Sequence, residues 1–75
     1  MTRSEILAGP VAERQNFSDH AMTEAEARGI LLNIEREVAS VDRRKKQAAF
    51  FARNIAGRLS PEAVAIYRAY AGAED

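Results

Sequence analysis

Ten positions between Ala27 and Leu59 follow one another at alternating steps of four and three residues. They read Ala27, Leu31, Ile34, Val38, Val41, Lys45, Ala48, Ala52, Ile55 and Leu59: nine apolar residues and one lysine. That spacing lays one narrow stripe along an α-helix, the seam of a coiled coil or helical bundle. The chain has 75 residues and no cysteine. It therefore has neither a disulfide nor a thiolate metal site to staple a small core, and stability must come from helix packing, self-association or a partner. The stripe predicts an all-α fold, a small helical bundle or helical hairpin.

Two capping signals bound the stripe. Thr23-Glu24-Ala25-Glu26 has the spacing of a capping box, in which the threonine hydroxyl accepts from the Glu26 amide and the Glu26 carboxylate reaches back to the Thr23 amide. Ser60-Pro61-Glu62 supplies a second start, with serine at the N-cap and proline at the first helical position, where no amide is needed. Leu59 and Val64 stand at the spacing of a hydrophobic staple across that cap. These signals predict a long or once-broken helix over about 24–58 and a short return helix over about 61–71. On the return helix Ala63, Ile66, Tyr67 and Tyr70 share one face, flanked by Val64 and Ala71. The short link folds that face back onto the end of the preceding stretch.

The unbroken register favours one continuous helix. Asp42 to Gln47, six polar residues in a row, interrupts the stripe and argues for a break. Four basic residues at the start of a second helix would oppose its dipole. Yet an uninterrupted helix of this length would span about 54 Å, more than the rest of the chain can cover. A compact monomer requires a turn near Ser40–Lys46; a dimer or a complex does not.

Residues 1–22 carry turn signals (Gly9-Pro10, then Asn16 to Asp19) and only scattered apolar residues, Ile6, Leu7, Val11 and Phe17. They read as a flexible N-terminal tail preceding a single helical domain at 23–75. A sharper reading makes Ile6, Leu7 and Phe17 a short linear motif that orders on a partner's groove. Thr2 and Glu5 stand at capping-box spacing, which allows one helical turn around Ile6.

The chain has zero net charge, unevenly placed. Between residues 23 and 42 five acids face two bases; between 43 and 68 seven bases face Glu62 alone. Such polarity favours antiparallel packing or docking on a partner of opposite sign. Arg43-Arg44-Lys45-Lys46, with Arg53 further on, is the best candidate for contact with nucleic acid. A helix–turn–helix centred on Gly57 fits poorly, because Arg53 stands where that motif places a small residue. Phe50 falls at the outermost position of the stripe's register, with Phe51 on its flank and Leu32 also off it. An exposed aromatic is a docking anchor; a covered one is simply a wider core.

Little points to catalysis. His20 beside Asp19 has no accompanying nucleophile or pocket signature, and Glu24 with Glu26, or Glu35 with Glu37, point to different helix faces. No glycine-rich phosphate loop is present. The sequence predicts no catalytic, metal or cofactor site and no small-molecule substrate. The expectation is a cytoplasmic, non-catalytic regulator, an adaptor or antagonist (for example of a transcription regulator), that binds a protein partner, with self-association open. Its contact residues would be Leu32, Arg43, Arg44, Lys45, Lys46, Phe50, Phe51 and Arg53. The alternative is a small nucleic-acid-binding regulator using 43–46.

Overall fold

A computed structural model describes residues 1–12, 21–54 and 56–74. Among these the chain is all-α: α1 (Arg3–Leu7), α2 (Glu24–Glu37), α3 (Val41–Asn54) and α4 (Pro61–Ala71), with a 3-10 turn at Ala56–Arg58 before α4. The caps lie where the sequence places them. Thr23 Oγ1 accepts from the Glu26 amide at 3.2 Å and Glu26 Oε1 from the Thr23 amide at 3.0 Å. Ser60 Oγ accepts from the Ala63 amide at 3.1 Å, with Pro61 opening α4.

The long stretch is broken once, between Glu37 and Val41. Val38 is extended (φ −112°, ψ 113°). The break thus falls just ahead of the polar run, which lies within α3 rather than in a loop. Local dipole reasoning disfavours four cations there; the tertiary structure supplies the compensation. Arg44 turns back and donates to the carbonyls of Val38 and, at 2.9 Å, Glu35, the unsatisfied end of α2. Lys45 donates at 2.6 Å to the carbonyl of Ala73, just beyond the end of α4. Cations at the start of α3 therefore stand at two helix C-termini, where positive charge is stabilising.

Both halves of the stripe face α4. Ala27, Leu31 and Ile34 from α2, Ala48 and Ala52 from α3, and Ala63, Ile66, Tyr67 and Tyr70 from α4 form the core, with Leu59 from the link. Pairing Lys45 with Ala73 and Phe51 with Tyr67 makes α3 antiparallel to α4. The starts of α2 and α4 lie side by side: the Met22 amide donates to the Arg58 carbonyl and the Ser60 amide to that of Met22. Tyr70 and Glu35 meet at the other end. The three longer helices thus run up, down, up.

The boundary at residue 23 does not hold for the described part of the first 22 residues, which joins the same packed unit. Ile6 and Met22 are core residues, 3% and 4% exposed. The Thr2–Glu5 capping box forms. The Arg3 amide donates to the Glu74 carbonyl and the Glu74 amide to that of Met1. Further along, Arg28 donates to the carbonyls of Ile6 (3.1 Å) and Pro10 (3.2 Å), and the Ala12 amide reaches the Ala25 carbonyl. Residues 2–12 therefore run antiparallel to α2, from Glu35 down to Ala25, along the junction of α2 with α4. Ile6 is thus buried in this chain's own core rather than held out for a partner's groove. Phe17 lies outside the described residues. What the sequence lacked was a period: one buried side chain and a string of main-chain bonds hold this segment.

Candidate docking face of the third helix

In α3 the 3.6-residue period turns Ala48 and Ala52 inward and sends Arg43, Lys46, Gln47, Phe50 and Arg53 to the opposite side. All five are exposed. They form one stripe about 15 Å long, since ten residues of helix rise 1.5 Å each. Two turns of cation and amide lie before Phe50, and one cation lies a turn after it.

Phe50 is 49% exposed, the most exposed aromatic among the described residues. Its ring is backed by a row that runs into the core. Its centroid lies 6.2 Å from that of Phe51, and the half-buried Phe51 meets Tyr67 edge-on at 5.6 Å. Tyr67 is wholly buried, and its hydroxyl donates to Met22 Sδ at 3.2 Å. Burial pushes the Tyr67 phenol well above the usual tyrosine range, so it stays neutral. The exposed ring is thus backed by an aromatic row that ends on the buried Tyr67.

The basic run divides in two. Arg44 and Lys45 are half-buried and committed to main-chain carbonyls, so they do not belong to the face on which they were expected. Arg43 and Lys46 remain on it with Arg53. Lys46 pairs with Asp42 at 3.1 Å, a solvated i,i+4 contact of small energetic weight. Phe51 lies behind the stripe rather than on it. Leu32 is half-buried on α2 and lies off the α3 stripe. Gln47 also belongs to the face; in sequence it is one of a polar run, and its signal is its place one helical turn before Phe50. The α2–α3 link extends the face, with the exposed Glu37, and with Val38, Ala39 and Ser40, joining Arg43, Lys46 and Gln47 around a shallow, open depression.

The molecule's other polar cluster is internal bracing. Glu35 Oε2 receives the Tyr70 hydroxyl at 3.0 Å and the Arg3 guanidinium at 3.3 Å. Burial and the adjoining Glu35 carboxylate push the Tyr70 phenol up to about 12, the nearby Arg3 and Arg44 notwithstanding. Glu24 is bound to Arg28 at 2.7 Å, and Glu26 is buried in its cap. Among the described residues no group of three or more histidine, cysteine, aspartate or glutamate side chains could hold a metal ion. His20 and Asp19 lie outside those residues. None of the described helices is long and apolar enough to cross a membrane.

The chain matches no family model, no curated protein and no solved structure.

Proposed function

We propose that this protein is a non-catalytic regulator that binds another protein through the outer face of α3. One observation carries the reading: a half-exposed phenylalanine sits in the middle of a face whose other members are Arg43, Lys46, Gln47 and Arg53. Aromatics and arginines concentrate binding energy at protein interfaces, above all where a rigid ring can be fully desolvated.

Nucleic acid is the second reading, favoured by the same cations. It is weakened by the loss of Arg44 and Lys45 to capping and by Asp42 beside Lys46. Phosphate binding draws its strength from the number of free cations.

The test places a photo-crosslinking amino acid at Gln47, beside Phe50 on the face, and irradiates the protein in its native extract. A protease-sensitive adduct that disappears in the Phe50→Ala background supports the proposal. A nuclease-sensitive adduct indifferent to Phe50 replaces it with the second reading. Absence of any adduct sinks both.

A further inference from the structure

Five features of the α3 face narrow what would cover it. The stripe is narrow, at most two residues wide, and close to three helical turns long. It is apolar at one point, Phe50, and cationic on both sides of that point, at Arg43 and Lys46 before it and Arg53 after it. Asp42, beside Lys46, is the one acid of α3. No strand is present among the described residues, so no sheet edge is offered to an extended peptide. A single exposed ring, with Phe51 turned inward, does not make the paired aromatic walls that grip a polyproline segment. What remains is a surface whose apolar and charged positions repeat with a helix's own spacing.

We infer that the occupant is an acidic amphipathic helix of another protein, which sets an apolar side chain over Phe50 and carboxylates against Arg43, Lys46 and Arg53. This rests on the reading of the α3 face as a protein-docking surface and adds the chemistry of the partner. Charge complementarity supplies the argument: Arg43 and Arg53, about 15 Å apart along the stripe, with Lys46 between them shared with Asp42, accelerate the approach of an acidic helix and fix its register. The ring supplies the desolvated centre. A basic helix would be repelled along its whole length, and a neutral one would leave the guanidinium groups of Arg43 and Arg53 facing an unmatched surface.

The probe is a synthetic amphipathic helix with leucines on one face and glutamates one turn to either side. Its companions are the same helix with glutamine for glutamate, a scrambled acidic peptide without a face, and a random DNA duplex. Titrations across a salt series should show the acidic helix binding best. Phe50→Ala should weaken that binding about tenfold or more. A variant carrying Arg43→Gln, Lys46→Gln and Arg53→Gln should slow association and flatten its salt dependence. Equal binding of the glutamine or scrambled peptide overturns the inference. So does tighter, steeply salt-dependent binding of the duplex, or a dimer of the free protein that Phe50→Ala dissociates. Helicity and melting of Phe50→Ala and Phe50→Gln are followed in parallel; loss of fold in both places the ring in the core and likewise overturns it. A protein adduct at Gln47 together with indifference to the acidic helix removes this inference and leaves the docking reading standing. Absence of the adduct removes the docking reading first.

Discussion

The Lys45 ammonium donates to the Ala73 carbonyl across 2.6 Å, joining the first turn of α3 to the residue that follows the C-cap of α4. The one charged residue in an otherwise apolar stripe thereby closes the end of α4, 28 residues on in the chain, rather than being a flaw in a seam. A continuous helix would gain from leucine at this position, because the stripe would then be complete. In the folded molecule the same change removes a charge-assisted bond and leaves a carbonyl half-covered. Lys45→Leu should therefore lower stability by about 1–2 kcal/mol and leave sedimentation unchanged. Urea melts and analytical ultracentrifugation check it, and a raised melting point with new dimer would contradict the capping role.

The packed N-terminal segment is open to a direct test. Ile6 is buried among the helices, so Ile6→Ala should cost about 2–4 kcal/mol, whereas in a detached tail it would cost nothing measurable. Arg28→Ala should cost less but should speed amide exchange at Ala12, whose bond to the Ala25 carbonyl lies beside the Arg28 contact with Pro10. Gly9 belongs to the same arrangement. A methyl group there would come within 2.3 Å of the Arg28 guanidinium carbon, so Gly9→Ala should mimic Arg28→Ala in part. Exchange measured by NMR distinguishes these outcomes residue by residue.

What could be read from the sequence was whatever has a local cause. Thr23 with Glu26, Ser60 with Pro61, and Ala63, Ile66, Tyr67 and Tyr70 on one face are set by neighbours within a turn or two, and the structure agrees with each. The break in the long stretch could be read only within a few residues. The stripe continues through it in register, because α2 and α3 both turn their apolar side to α4. The turn around Ile6 had a local signal in Thr2 and Glu5, but its burial against α2 and α4, the inward commitments of Arg44 and Lys45, and the hub at Glu35 had none. Each depends on groups more than five residues apart, which no period or cap encodes. At the α3 face the wheel located Phe50 correctly but could not say which cations would stay beside it.

Alkaline pH should weaken the fold through the tyrosines. Tyr70 titrates near 10 when unfolded and is pushed up to about 12 when folded, so the native state holds its proton longer. Stability from this group is complete below pH 10 and declines as pH rises toward the folded value, because the unfolded chain releases the proton first. Tyr67 adds a contribution of the same sign. Urea melts at increasing pH should show this decline, and Tyr70→Phe should make it shallower. At neutral pH that variant loses the bond to Glu35, about 1 kcal/mol.

The last prediction divides the basic run by what each residue touches. Arg44 donates to the carbonyls of Val38 and Glu35, and Lys45 to that of Ala73, whereas Arg43 and Lys46 project from the outer face. Arg44→Gln and Lys45→Gln should each lower stability, by about 1–2 kcal/mol, and change partner binding only as far as the fold loosens. Arg43→Gln and Lys46→Gln should melt within about 0.5 kcal/mol of the parent, since an exposed cation and a solvated pair with Asp42 contribute little. Their effect should appear in the rate of association with the partner and in its response to salt. The four single variants, each measured for melting and for association rate, then fall into two pairs: 44 with 45, and 43 with 46. A purely solvated charge run would give no such pairing, and a phosphate-binding run would show all four losing affinity together with comparable salt slopes. Pairing by side-chain contact rather than by position in sequence is the outcome the geometry requires.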